Sequence, residues 1–516
     1  MLIHKIAKKS KRMIDKNFTR DLLKNILPVD IDSSDYIFIF NQVESEFYLK
    51  LYSLVSHELS KQGIPSCFLY QDDQLSPYNP KFKINGFEIS NAFRIKDRGA
   101  VKPAYSRNFV YDWIIDIENE RIETHEVNFF PVIQATLRKI QKRYNVYFYN
   151  EDNSPVYSDL LNSCDLLLEY FLLFKDYTHK NNKKIRLVGF ETSFIPNGVF
   201  KILCDHLSED RDVEFIELRR GYIYYFGNHH IRDSYITLAN LTKTKKPYAF
   251  TVSRQEMAAF EASSIDFDKL SKPISNALNK GVYSKPPESQ ARVIKLIEEY
   301  KSQGKKIFCL FSHLFYDTPV DDNSSAFNGM CEWISETIKY FSRERDLLLI
   351  KPHPVEFMKG EPKKTPNETL ASFLSDTKLP ENIIMLDPHQ FTVKDLSPYI
   401  TCGLIWRSSV AMELTFLEIP NIIAGTPIYN SLDLNYVKDK AHYFQMIAQV
   451  QEFKVAEKQK LDVAKYLYLL ENNHMLVETI TYNQKYRKFF WNRDALAAYL
   501  QNGDGRITSV VEKMLN

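Results

Sequence analysis

Glycine is scarce in this chain, 15 of 516 residues, and none of it builds a GxGxxG or GxxxxGK[ST] pattern. A dinucleotide fingerprint and an ATP-type phosphate loop are therefore both missing. The six cysteines, Cys67, Cys164, Cys204, Cys309, Cys331 and Cys402, are scattered without a CxxC pair. That spacing argues against a zinc site and fits a reduced compartment. No stretch approaches the about 20 continuous apolar residues of a membrane-spanning helix, and the N-terminus lacks the apolar core of a secretory signal. The expectation is a cytoplasmic protein, soluble or peripheral on the cytoplasmic membrane. Neither sign of charge is in excess: 67 Lys and Arg stand against 65 Asp and Glu, which gives no electrostatic reason to expect nucleic acid as a partner. No Asp-x-Asp is convincingly placed after a strand, the one at Asp30 and Asp32 standing ahead of one, so no metal site and no cofactor is expected.

Aromatic residues are abundant, with 31 Tyr and 35 Phe, and a chain of this length exceeds what one hydrophobic core usually organises. Residues 1–28 carry many lysines and arginines, while Ile3, Ile6, Met13, Phe18 and Leu22 recur at roughly helical spacing. This predicts a basic amphipathic helix, either lying on an anionic membrane surface or docked on its own domain; the interrupting acids favour docking. From Asp35, DYIFIFNQV, SEFYLKLYSLVSHELSKQG and IPSCFLYQDD read as strand, helix, strand, and KKIRLVGFETS to VEFIELRRG repeats the order. An α/β domain over 29–245 follows, with an irregular insertion around 80–160. The Lys-, Ser- and Pro-rich stretch 246–290 lacks sustained periodicity and reads as an inter-domain linker. Five apolar runs with intervening helices predict a second doubly wound domain over 291–455, and a helical tail takes up 456–516.

In open parallel sheets, ligands bind beyond the carboxyl ends of the strands. In the second domain those ends carry FSHLFYDTP, KPHPVE, DPHQFT and WRSSVAMEL. Ser408 and Ser409 fall where a strand gives way to a helix, so their hydroxyls and the first free N–H groups form a natural phosphate site. Serine is also a preferred N-cap, which is the plain alternative. Glu413 is four residues beyond Ser409, not three as a capping box requires, and so can reach ribose hydroxyls instead. Arg407 supplies a cation for phosphate or a surface ion pair. His353 is locked between Pro352 and Pro354, flanked by Lys351 and Glu356, and can place a proton or positive charge on a departing phosphate. His313 and Asp317 touch the donor or cap a helix. Tyr429 stacks on a base or packs, and Gly425 answers a turn.

These elements in order, SHLFYDTP, EWISETI, LLLIKPHPVE, NIIMLDP and DLSPYITCGLIWRSSVAMELTFLEIPNIIAGTPIY, resemble the C-terminal domain of bacterial capsule polysaccharide biosynthesis glycosyltransferases over roughly residues 305–445. They are similar also to the HP-plus-SS pattern of bacterial sialyltransferases, polysialyltransferases and capsular Kdo transferases. The resemblance implies a GT-B-like fold, two Rossmann-like domains facing a cleft, and a CMP-activated donor whose phosphate meets His353, Pro354, Ser408 and Ser409. The sialyltransferases carry their general base in an acidic motif ending in glycine; this chain has no clear counterpart. By position, Glu191 after IRLVGF is the best base, with Asp72, Asp73 and Asp317 as rivals.

The resulting expectation is a metal-independent glycosyltransferase. It would move a sugar, foremost a CMP-linked Kdo or sialic-type sugar, from a nucleotide donor to a glycan or glycolipid of the bacterial surface. A UDP- or GDP-sugar enzyme, a CDP-alditol glycerophosphotransferase of teichoic-acid type and a non-catalytic capsule-assembly scaffold stand as alternatives.

Overall fold

The computed structural model describes residues 22, 33–41, 46–69, 110–208, 212–220, 235–244, 246, 248–249, 251–260, 265–279, 288–316, 326–357, 367–387, 389–473, 475–483 and 488–516, with the backbone of four short strands between 83 and 103. Two main sheets organise it, the first mixed and the second wholly parallel. The first contains β1 (Tyr36–Asn41), β2 (Ser66–Leu69), β3 (Lys184–Gly189) and β4 (Val213–Arg220), with β5 (Tyr235–Asn240) antiparallel beside β4. Its parallel part runs β2-β1-β3-β4, so the strand order reverses between β1 and β3. The second sheet contains β6 (Ile307–Phe311), β7 (Leu347–Lys351), β8 (Ile383–Met385), β9 (Cys402–Ile405) and β10 (Asn421–Ile423). All five are parallel in the order β8-β7-β6-β9-β10, reversing between β6 and β9. Two doubly wound α/β units are thus present, as the sequence predicts.

Burial on both faces explains why these strands are near-continuous apolar runs. Along β1, Ile37 and Ile39 join one core while Phe38 and Phe40 join the other. Along β6, Ile307, Cys309 and Phe311 face one layer, and Phe308 and Leu310 the opposite one. This period of two is the pleat itself.

The stretch read as a linker carries structure of the second domain. Helices Arg254–Ala259 and Phe267–Leu278 pack against the helix Glu457–Asn472. The buried side of the longer one is Leu270, Ser271, Pro273 and Ile274; a serine and a proline on the core face hide the helical stripe. The tail divides between the domains. Glu457–Asn472 puts Val463, Tyr466 and Leu467 into the second core, whereas Arg493–Asn502 and Gly505–Leu515 put Leu496, Tyr499, Ile507 and Val510 into the first. Leu22 is buried in that first core; the rest of the basic N-terminal segment lies outside the described residues.

The domains meet at the end of α1 (Phe130–Gln141). Asn367 Nδ2 donates to Gln141 O at 2.7 Å, and Asn367 N donates to Lys142 O at 2.9 Å. Glu368 Oε2 accepts from Tyr144 N at 2.7 Å and Asn145 N at 3.2 Å. Lys139 Nζ lies 5.2 Å from the Phe194 ring, beyond β3, and 5.9 Å from the Tyr316 ring, beyond β6. One ammonium therefore joins carboxyl-end loops of both sheets.

Candidate functional site

Four chain segments leave the carboxyl edge of the second sheet near its point of reversal. Beyond β6, Ser312 N donates to Lys351 O at 3.1 Å, which holds this exit against that of β7. His313 and His353 follow, their ring centroids 6.2 Å apart and inclined by 44°. The prolines account for the second ring's placement. Pro352 ends the strand, and Pro354 opens a tight 3₁₀ turn, Pro354–Phe357, whose missing N–H no partner needs. Both imidazoles are partly exposed.

Beyond β9, Trp406 is buried against Trp333 with centroids 5.7 Å apart, and Arg407, Ser408 and Ser409 emerge partly exposed. The neighbouring exit from β10 comes very close. Gly425 N donates to Trp406 O at 2.9 Å, and a Cβ on Gly425 would stand 2.6 Å from that oxygen. Only glycine permits the approach. Ser408 Oγ accepts from Val410 N at 3.3 Å, a local turn bond. Ser409 precedes the helix Val410–Phe416 but makes no side-chain capping bond. The capping alternative thus describes Ser408 better than Ser409. Glu413 is half-buried one turn into the helix.

Lys351, the last residue of β7, is 7 % exposed. Burial lowers its pKa, while the negative charges of Asp387, Glu413 and Asp395 oppose that shift. Lys351 is therefore packed into the carboxyl end of the sheet rather than presented to solvent.

Two of the residues named from the sequence are held inside the protein. Tyr429 is fully buried, and its hydroxyl donates to Ser408 O at 2.5 Å; the ring supports the serine loop from behind and presents no stacking face. Glu356 is carried away from the crevice by the turn after Pro354. Its Oε2 accepts from Leu370 N at 3.0 Å, Oε1 has no hydrogen-bond partner, and burial pushes its pKa up to about 7. Asp317, Asp72 and Asp73 lie outside the described residues.

In the first domain, Glu191 follows β3 at the first sheet's own reversal point. Its backbone is left-handed, φ 53°, which a glutamate rarely adopts, and its side chain is 47 % exposed. Arg219 Nη2 lies 3.9 Å from Glu191 Oε1, and Arg219 Nη1 lies 3.6 Å from Glu217 Oε1. Glu217 is fully buried, and its Oε2 accepts from Ala249 N at 2.5 Å. Burial raises its pKa, opposed by Arg219 and by the Ala249 amide. Sequence reasoning missed Arg219 and Glu217. The available signal was a carboxylate inside the buried strand VEFIELRR, which demands a partner.

The described residues contain no group of three or more His, Cys, Asp or Glu able to hold a metal ion, and no helix among them is long and apolar enough to cross a membrane.

No protein-family model and no curated protein sequence matches the chain. Among solved structures it is similar to KpsC of Thermosulfurimonas dismutans, a beta Kdo 2,7 transferase, at 15% identity and TM-score 0.32 over 64% of this chain and 90% of that one. It is similar to the UDP-GlcNAc 2-epimerase of Methanocaldococcus jannaschii in complex with UDP-GlcNAc and UDP, at 11% identity and TM-score 0.29 over 85% and 98% of the respective chains. The wall teichoic acid polymerase TagF is similar at 12% identity and TM-score 0.19 over 66% of this chain and 85% of that chain.

Proposed function

We propose that the chain is a GT-B-type glycosyltransferase that moves a sugar from a nucleotide donor to a hydroxyl of a surface glycan or glycolipid. The observation that carries this reading is the convergence at the second sheet's reversal point. There two partly exposed imidazoles, His313 and His353, and the partly exposed Arg407-Ser408-Ser409 loop leave neighbouring strands of one parallel sheet. Such exits bind phosphate-bearing ligands in open α/β folds. Cations and hydroxyls fixed there stabilise negative charge as it develops.

In the proposed step Glu191 takes the proton of the acceptor hydroxyl. The acceptor oxygen forms its bond to the anomeric carbon while the bond from that carbon to the phosphate oxygen breaks. The nucleotide leaves with the electron pair, and His353, Arg407, Ser408 and Ser409 hold its phosphate. Lys351 and Glu413 frame the floor, with Glu413 toward the ribose. The protein groups take the place of a divalent cation, so turnover persists in EDTA. The leading donor is a CMP-linked Kdo or sialic-type sugar, on the sequence resemblance given above. UDP- and GDP-sugars and CDP-glycerol belong in the same test.

The test is a thermal-shift panel of CMP, UDP, GDP and CDP followed by nucleotide release from the matching donors. A nucleotide that binds the native state raises the melting temperature. His353→Ala then lowers turnover by about 10²-fold with the fold intact. Failure of every nucleotide to bind favours the scaffold alternative, and glycerol phosphate transfer from CDP-glycerol favours the teichoic-acid one.

A further inference from the structure

We infer that Arg219 is a positioning residue for Glu191, anchored from beneath by the buried carboxylate of Glu217; the inference rests on Glu191 being the base. Three charged side chains, adjacent in space, are graded in exposure from the core outward. Glu217 is 0 % exposed, Arg219 15 % and Glu191 47 %. Glu217 and Arg219 stand two residues apart on β4, so they share one side of the strand. A fully buried carboxylate needs a counter-charge, and Arg219 is the cation at 3.6 Å. Glu217 is itself fixed by the Ala249 amide at 2.5 Å. The guanidinium is thus held by its strand and by an acid that has nowhere to move.

What it meets on the outer side is the Glu191 carboxylate. The backbone of that residue is already constrained. It is left-handed, its carbonyl accepts from Phe194 N at 3.3 Å, and Ser193 Oγ lies 3.1 Å from Tyr248 Oη. The remaining freedom is in the Glu191 side chain, which solvent would otherwise leave among several rotamers. A guanidinium at 3.9 Å narrows that set by charge attraction. The separation exceeds a hydrogen bond, so the carboxylate keeps its lone pairs for an acceptor proton. Arg219 aims the base without occupying it.

The test is a double-mutant cycle read as nucleotide release and sugar transfer, using the CMP-, UDP- or GDP-sugar that the enzyme turns over fastest. Arg219→Ala lowers kcat by about 10-fold and leaves the donor KM unchanged, because it misplaces a base 1 Å or so without touching the donor. Arg219→Lys recovers part of the loss by restoring charge without the fork. In a Glu191→Gln background, Arg219→Ala lowers the residual rate by less than about 2-fold, since two residues acting through one function are not additive. An equal loss in both backgrounds overturns the positioning role while the Glu191 reading stands. A Glu191→Gln enzyme with wild-type turnover overturns both. Removing Arg219 leaves Glu217 buried without its counter-charge, so a variant too unstable to assay is replaced by Arg219→Gln combined with Glu217→Gln, and the cycle is read with that pair against the same two outcomes.

Discussion

The hydroxyl of Tyr429 donates to the carbonyl of Ser408 at 2.5 Å, from a ring with no exposed surface. A second tyrosine continues the support, because Tyr436 Oη donates to Tyr429 O at 3.1 Å. The loop proposed to hold phosphate is therefore braced from its buried side. Tyr429→Phe keeps the packing and deletes one bond, at a net stability loss of about 1 kcal/mol. Nucleotide affinity, measured by calorimetry, is expected to fall several-fold. Unchanged affinity would mean that the loop holds its shape without the brace.

Ser408 and Ser409 separate by what each does without a ligand. Ser408 Oγ already accepts from Val410 N, whereas Ser409 makes no capping bond. Ser408→Ala is expected to cost about 1 kcal/mol of stability, in the range of a lost turn or cap bond, and Ser409→Ala close to none. Both together are expected to weaken nucleotide binding by at least about 10-fold, as loss of charge-assisted bonds to phosphate implies. Melting curves and calorimetry on the same three variants check this, and normal nucleotide binding in the double variant assigns the pair to structure alone.

The parallel strands were legible because burial on both faces writes each as an apolar run, LLLIK and CGLI among them. The prolines around His353 were legible because proline acts on its own φ and on its neighbour regardless of tertiary contacts. Residues whose role depends on a partner distant in sequence were not. The turn after Pro354 sends Glu356 inward to Leu370, fourteen residues on, and nothing in KPHPVE distinguishes that from an outward acid. The ring of Tyr429 faces Ser408 across the β10 exit, and aromatic character alone is silent on which side of a loop a ring lies. Helix Phe267–Leu278 was obscured because its core face includes Ser271 and Pro273, which locally read as loop.

Glu356 gives the pH prediction. Its carboxyl has a folded pKa raised from 4.5 to about 7 by burial, so the native state binds this proton more tightly than the unfolded chain does. Between pH 4.5 and 7 the unfolded state has lost the proton while the native state retains it, and stability contributed by the protonated form is lost as pH rises through 7. Glu356→Gln mimics that protonated form. Its stability relative to wild type is expected to increase from pH 5 to pH 8, tracked by denaturant midpoints at each pH. A difference that stays flat across this window would show that the carboxyl titrates normally.

Glu368 gives the last prediction, because it joins the domains rather than stabilising either one. Its Oε2 accepts from Tyr144 N and Asn145 N, and Oε1 accepts from Asn145 Nδ2 at 3.3 Å. These bonds tie the end of α1 to the segment that leads into Leu370, and Leu370 N is in turn bound by Glu356 from the His353 turn. The first-domain loop and the proposed phosphate site are thus connected through two carboxylates. Glu368→Ala removes three acceptor contacts at the rim of the second core, against which Tyr144 packs, and each domain is expected to melt within about 1 kcal/mol of wild type, the usual range for surface substitutions with a partner. The effect belongs instead to closure, since loss of contacts made across the interface favours the open arrangement. Small-angle scattering is expected to report a larger radius of gyration for Glu368→Ala, and kcat/KM to fall by about 5- to 10-fold, the scale of 1 to 1.4 kcal/mol of coupling. Glu368→Gln, which retains a carbonyl acceptor, is expected to lie between the two. A variant with wild-type scattering and wild-type kcat/KM would place the closing contact elsewhere, with Lys139, between the Phe194 and Tyr316 rings, as the next residue to replace.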